Sequence, residues 1–370
     1  MDVVDAAALA DVLASPAALA ALAPGPAGGA LVVDLRTAPA GLDLAPLAQL
    51  PAVVVAIADA AARTAAGERT GLPDAAARAG PGADARANDP GEGHTARAAD
   101  VVVADEDAAE AVVAAVYANP LAATTLAVHL RASATLDVEA GLVAESATYS
   151  LLQAGPEHLR WLAARPPHPP RPGDGERVRA ERSGHRLTVT LARPSVRNAV
   201  DAAMQQALAD ALLAAAEPDI TEVVLAGDGP SFSTGGDLAE FGSLADPVSA
   251  HLVRLGRSPA RALARVAGRT TAVVHGPCYG AGVELPAFAR RVIARPGTTF
   301  TLPEVAMGLV PGAGGTVSLP RRIGRQHTAW LAITGHALDA TTARDWGLVD
   351  EIAGADGTRD TTAPGSPGGR

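Results

Sequence analysis

The stretch that decides the reading runs from Phe232 to Thr316, and at its centre stands His275-Gly-Pro-Cys-Tyr-Gly-Ala-Gly-Val-Glu-Leu-Pro286. An apolar strand, Thr271-Ala-Val-Val274, leads into a glycine-rich corner. A single carboxylate, Glu284, follows among Val, Leu, Pro, Ala and Phe. An ionised carboxylate in apolar surroundings is costly unless it is partnered. Glu284 therefore has either a structural partner or chemistry to do.

Working outward, a second glycine corner, Thr234-Gly-Gly236, follows another apolar strand at 223–227, and a second carboxylate, Glu304, sits in Leu302-Pro-Glu-Val305. Glycine lets a backbone approach a ligand closely, and paired N–H groups at such corners can face a developing negative charge. Taken singly, each corner reads as an ordinary tight turn, and Glu304 reads equally as a cap for the helix after it. Together they suit two carboxylates that divide proton donation and abstraction around one pocket. Cys278, the one cysteine, reads as a small buried hydrophobe in the strand-to-turn corner.

The rest of the chain bounds the function. At 370 residues it exceeds the usual single domain, so two domains or one enlarged domain are expected. Apolar residues make up 48% and aromatics 3%, an aliphatic α/β composition. Every cationic residue is arginine, and the net charge is −10. That balance argues against nucleic-acid and acidic-membrane partners, both of which need a basic footprint. A lone cysteine excludes an internal disulfide and fits a reducing compartment. Met1-Asp-Val-Val-Asp5 lacks the basic start of a signal peptide, and the alanine-rich stretches carry charges or proline, so a cytoplasmic location is expected.

Along the chain, residues 6–22 predict short helices interrupted at Ser15-Pro16, and residues 29–36, 51–59 and 98–105 predict buried strands of the kind found in a parallel sheet. Residues 63–97 have no period and read as a flexible excursion. Helices are expected over 107–131 with a break at Asn119-Pro120, over 137–153 and over 156–165. On the 137–153 helix, Leu142, Val143 and Tyr149 recur at helical spacing and Glu139 and Glu145 are assigned to a solvated face. The prolines of 166–183 mark a linker. Beyond it the sequence predicts a strand at 185–191, a helix at 201–215 capped by Asp201, a helical stretch through 254–266, strands at 292–295 and 299–301, and a helix at 341–347. The tail, 354–370, reads as disordered.

Four segments in order carry a resemblance: Phe232-Ser-Thr-Gly-Gly-Asp-Leu238, Gly280-Ala-Gly-Val-Glu-Leu285, Pro303-Glu-Val-Ala-Met-Gly-Leu-Val-Pro-Gly-Ala-Gly-Gly-Thr316 and Gly347-Leu-Val-Asp-Glu-Ile352. They resemble the enoyl-CoA hydratase/isomerase (crotonase) superfamily, over residues 184–353. The resemblance implies an α/β fold with a crotonase-type spiral of ββα units. It implies an oxyanion hole from the amides of Gly236 and Ala281, and acid/base roles for Glu284 and Glu304. Arg197, Thr234, Asp237, Leu238 and Gly312 fall where relatives contact the acyl-CoA. The implied reaction is hydration of a 2-enoyl-CoA to a 3-hydroxyacyl-CoA, with Glu304 as donor and Glu284 as the base that holds water. No separate cofactor is implied, since coenzyme A belongs to the substrate, and the partner is a homo-oligomer, a trimer or a multiple of one.

The alternatives are double-bond isomerisation, thioester hydrolysis or a ring-modifying step on the same fold, and a non-catalytic acyl-CoA-binding or assembly protein. Relatives continue past the fourth segment with helices that close the acyl pocket, and here residues 107–165 look like that closing segment. Residues 1–165 are accordingly expected to be a shortened, degenerate copy of the same domain. Its helices would cover the site of 184–353, in cis or from a neighbouring subunit.

Overall fold

The computed structural model describes residues 3–59 apart from 6–8, 10–11, 14, 24, 26, 37, 39–41 and 43, together with 98–165 and 175–354. Most of the expected excursion at 63–97, residues 166–174 of the expected linker and the tail from 355 lie outside the described residues.

The N-terminal region is built on a parallel sheet of β1 (Val3–Asp5), β2 (Ala30–Asp34), β3 (Val53–Ile57) and β4 (Val101–Val103), in that spatial order. All five residues of β3 are buried, as a continuous Val/Ile run requires when both faces are covered. The expected strands at 29–36, 51–59 and 98–105 are present, whereas β1 was not anticipated. Its three residues are too few to show a period. The short helix α1 (Pro16–Ala21) starts where Ser15 Oγ accepts from Ala18 N at 3.3 Å.

Four further helices follow: α2 (Glu106–Ala118), α3 (Pro120–Ala132), α4 (Val138–Gln153) and α5 (Pro156–Ala163). Asp105 and Asp137 cap α2 and α4 through side-chain acceptors. Pro120 begins α3, and the chain bends by 109° between α2 and α3. Among the described residues no single helix is long and apolar enough to cross a membrane; α2 and α3 pass that test only as a bent pair.

The second region starts earlier than expected. Residues 178–183, read as linker, form β5 (Val178–Ser183), an antiparallel hairpin partner of β6 (Arg186–Leu191) that turns at Gly184. Only Val178 of β5 is buried, so the strand has little hydrophobic signature. After β6 come α6 (Ala202–Ala214), β7 (Glu222–Gly227), α7 (Pro247–Gly256), α8 (Pro259–Val266), β8 (Thr270–Val274), β9 (Pro277–Tyr279), α9 (Ala281–Glu284), β10 (Arg291–Ala294) and β11 (Thr299–Thr301). Then come α10 (Gly315–Ile323), α11 (Arg325–Thr334), β12 (Leu338–Asp339), α12 (Ala340–Asp345) and β13 (Glu351–Ile352). The sequence reading missed α10 and α11, since the glycines before α10, Pro320 within it and Gly324 between the two look like loop.

The large sheet runs β13-β10-β8-β7-β6-β5, and a small one runs β12-β11-β9. The chain spirals between them: β8 in the large sheet is followed by β9 in the small one, then β10 by β11. The first glycine corner follows β7 of the large sheet and the second follows β9 of the small one.

The two regions share one apolar core that extends from Val32 and Val53 through Leu126 and Leu142 to Leu331 and Ile352. A fully buried Asp100 staples them electrostatically. Its carboxylate accepts from Val54 N (2.8 Å), pairs with Arg131 and, across the boundary, pairs with Arg325 at 2.6 Å. Removing one partner of such a group leaves uncompensated charge in the interior. Asp100→Ala, which strips the counter-charge from two arginines, is expected to lose about 3–5 kcal/mol in urea unfolding; an unchanged midpoint would show that water already solvates both guanidinium groups.

Candidate active site

The two glycine corners are stitched to each other. Phe232 N donates to His275 O at 2.8 Å and Tyr279 N to Ser233 O at 3.1 Å. Gly235, at φ +79°, has no room for a side chain, since a Cβ there would lie 2.8 Å from Tyr279 O. Gly280, at φ +48° and ψ −116°, turns the chain so that α9 begins at Ala281. Ala281 N–H therefore points out of the first turn, where no intrahelical acceptor exists.

On the other corner, Val200 N donates to Gly235 O and Asp237 N to Val200 O. That pairing leaves the Gly236 N–H on the opposite face. Among the described residues neither the Gly236 nor the Ala281 N–H meets an acceptor, and both residues line one cavity of about 490 Å³.

Two carboxylates stand beside these amides. Glu284 is buried, and its Oε2 accepts from Ala313 N (2.7 Å) and Gly315 N (2.8 Å). Glu304 follows β11 and stands at the N-cap of a short 3₁₀ turn (Val305–Met307), but its side chain caps nothing; its Oε2 is sealed from solvent without a hydrogen-bond partner. The Oε1 atoms of both glutamates lie within 3.8 Å of the point a Cβ on Gly280 would occupy, with Glu304 Oε1 at 2.5 Å from it.

Burial pushes Glu304 up to about 8. It also raises Glu284 well above the ordinary carboxylate range, as do the neighbouring charges of Glu304 and Glu145, against the pull of the Ala313 and Gly315 amides. Glu284 has two N–H groups that favour its charged form, Ala313 and Gly315, while Glu304 Oε2 has none.

The far wall comes from the N-terminal region: Leu142, Glu145, Ser146 and Tyr149 of α4 and His158 of α5 line the same cavity. This corrects the assignment of Glu145 to a solvated face. Glu139 is exposed there, with an ion pair to Arg261 at 2.6 Å, but Glu145 is only 2% exposed. Leu142, Glu145 and Tyr149 recur at i, i+3 and i+7, a spacing that places all three on one stripe. Arg254 of α7 was missed as well. It donates to Ser146 Oγ (3.3 Å), Gln153 Oε1 (3.3 Å) and Ser150 Oγ, and stacks on Tyr149 with its guanidinium carbon 4.6 Å from the ring centre.

The remaining expected contact residues divide. Gly312 and Asp237 line the cavity, although the Asp237 carboxylate is already committed to Arg193 Nη1 at 3.2 Å and Ala239 N at 3.1 Å. Arg197, Thr234 and Leu238 do not line it. Arg197 is exposed in the left-handed region, its carbonyl accepting from Thr234 N, and Leu238 is 41% exposed with its carbonyl on Arg165. Cys278 is buried, which pushes its thiol up to about 12, as expected of a small hydrophobe. Among the described residues no group of three or more His, Cys, Asp and Glu is placed to hold a metal ion.

A protein-family model described as enoyl-CoA hydratase/isomerase matches residues 182–363. The chain is similar to the enoyl-CoA isomerase/hydratase fer4 of Mycosarcoma maydis, with 33% identity over 45% of this chain and 64% of that one. It is also similar to the probable enoyl-CoA hydratase echA8 of Mycobacterium bovis, with 32% identity over 49% of this chain and 70% of that one. Among solved structures it is similar to an enoyl-CoA hydratase of Thermoplasma volcanium, 34% identical over 49% of this chain and 73% of that one, with a TM-score of 0.45. The chain thus spans less than two thirds of the length of the fer4 relative.

The crowding at Gly280 is open to a direct test with Gly335 as control, since Gly335 has a similar φ of +61° but only Leu302 O near a Cβ, at 3.7 Å. Gly335→Ala carries the strain of the left-handed region (ψ 18°), and Gly280→Ala that of a ψ of −116°, which suits glycine alone. Gly280→Ala alone also displaces Glu304, and is expected to lose about 1–3 kcal/mol more than Gly335→Ala in urea unfolding; equal losses would show that Glu304 is free to move aside.

Proposed function

The chain belongs to the enoyl-CoA hydratase/isomerase family, and from that premise we propose that it adds water across the C2–C3 double bond of a 2-enoyl-CoA, giving a 3-hydroxyacyl-CoA. One observation carries this reading: two carboxylates, Glu284 buried and Glu304 half-buried with its Oε2 sealed from solvent, converge at Gly280, immediately before a backbone amide that has no acceptor. Hydration needs that arrangement, because one group must take a proton from water while another delivers a proton to carbon.

In this reading the thioester carbonyl sits between the Gly236 and Ala281 N–H groups. The oxygen of a water held by Glu284 forms a bond to C3 while its proton passes to Glu284. The electron pair of the double bond moves to the carbonyl oxygen, where the two amides meet the developing charge. Collapse of that enolate takes the Glu304 proton onto C2. Each oxyanion donor of this kind contributes on the order of 100-fold to 1000-fold in rate. In the same reading residues 1–165 are a shortened copy of the domain, whose helices α4 and α5 close the acyl pocket of residues 178–353.

The test is incubation with short- and medium-chain 2-enoyl-CoA and identification of the product. A 3-hydroxyacyl-CoA is expected; a 3-enoyl-CoA or free CoA would sink the hydratase reading in favour of an isomerase or a thioester hydrolase. Glu284→Gln and Glu304→Gln are each expected to lower kcat about 10²–10⁴-fold with KM little changed. The pH profile has a definite sign. Glu304 acts as the acid and is protonated below about 8, so kcat falls about tenfold per unit on the alkaline side, and because Glu284, the base, is raised above the ordinary carboxylate range, its protonation lowers kcat on the acidic side as well. A rate that rises through pH 8 would reverse the assignment of acid and base.

A further inference from the structure

One buried carboxylate in the cavity wall takes no part in that reaction. Glu145, from α4 of the N-terminal region, reaches the loop that enters α10. Its Oε1 accepts from Gly314 N at 2.7 Å, and its Oε2 accepts from Thr316 N at 2.8 Å and from Thr316 Oγ1 at 2.7 Å. Glu284 holds the other two amides of the same run, Ala313 N and Gly315 N. Four consecutive N–H groups are therefore divided alternately between two carboxylates, one from each region of the chain.

The network behind Thr316 is determined by proton count. Burial raises Glu145 to about 7; in its ionised form it takes the one proton of Thr316 Oγ1, which then accepts at its 2.9 Å contact with His129 Nε2. His129 then carries its proton on Nε2, and Nδ1 accepts from Thr148 Oγ1 at 3.0 Å. Burial holds this imidazole down to about 4, so it stays neutral. Every donor around Glu145 is thus fixed in direction, an arrangement more exacting than a surface strap between helices would need.

We propose that Glu145 is a positioning residue for the reaction. By holding Gly314 and Thr316 it fixes the alternate amides of Ala313 and Gly315 on Glu284, and so sets where the Glu284 carboxylate and its water stand against the substrate. The proposal rests on the acid/base reading of Glu284. The charged and titratable groups facing Glu145 are Arg254 from α7, Glu284 from α9, Glu304 after β11 and, through Thr316, His129 from α3. Loss of the Glu145 charge removes repulsion from the two reacting carboxylates.

The decisive variant is Glu145→Gln in the full chain, because the glutamine NH₂ must face an amide N–H where an oxygen stood. Hydrogen exchange at the Ala313 and Gly315 amides, whose own acceptor Glu284 is untouched, is expected to quicken about tenfold or more. With an enoyl-CoA, kcat is expected to fall about 10-fold to 100-fold at a KM within about twofold, and the alkaline limb of the pH profile to move to lower pH. Glu145→Asp should recover part of the rate. Wild-type exchange at Ala313 and Gly315, or a lowered Tm with an unmoved kcat and pH profile, overturns the proposal and leaves Glu145 as a structural tie.

If Glu145→Gln does not fold, Thr316→Val, which deletes one hydrogen bond to Glu145, decides. Faster exchange at Ala313 and Gly315 supports the proposal, and unchanged exchange overturns it. Faster exchange in a protein that makes no 3-hydroxyacyl-CoA would defeat the hydratase reading while leaving the positioning of Glu284 in place.

Discussion

The site depends on a short run of peptide N–H groups, from Ala313 to Thr316, that must satisfy two buried carboxylates at once. Among the described residues neither Glu284 nor Glu145 has a cation within ion-pair distance. Amide dipoles take that place. They stabilise negative charge without cancelling it, and they cannot swing away as an arginine could. This explains why glycines crowd the segment. Gly315 has no room for a side chain, since a Cβ there would meet Glu284 Oε2 at 2.6 Å, and Gly314 stands at φ +98°.

Around that run, the wall from the N-terminal region is held by polar latches as well as apolar contact. Arg254 ties α7 to α4 through three side chains of α4. His158 Nδ1 meets Met307 O at 2.9 Å, close behind Glu304, and the Glu157 carboxylate accepts from Leu121 N and Ala122 N, where it closes the exposed start of α3. Each latch is directional. The apolar core joins the regions, while the Arg254 and His158 bonds set their register to within the tolerance that a reacting carboxylate needs.

The glycine corners, Glu284 and Glu304 were legible in the sequence because each stands in a local contrast: glycine after a strand, charge among apolar neighbours. Gly236 and Ala281 were named only through the family resemblance. Glu145 was not legible in that way. Its neighbours on α4 are a mixture that suits a solvated helix face, and its partners are 169 and 171 residues further on. The sequence reading grouped Leu142, Val143 and Tyr149 and left Glu145 off that stripe, and a stripe does not say what covers it. β5 and α10 escaped for a related reason, since β5 buries one residue of six and α10 carries Pro320 and two arginines near its end. Tertiary burial, rather than local pattern, decides all three.

The separation of Glu145 from its loop has a consequence for how the protein is made. At ribosomal rates of about 5–20 residues per second, roughly 10–30 s pass between the emergence of α4 and that of residues 313–316. Throughout that interval the Glu145 carboxylate lacks the amides that receive it, although α7, which packs on α4, arrives sooner. Asp100 and Arg131 likewise await Arg325. The wall of the pocket is therefore synthesised well before the pocket. Until α10 and α11 leave the ribosome, the nascent N-terminal region keeps a sticky, unfinished surface, the kind of surface on which holding chaperones act.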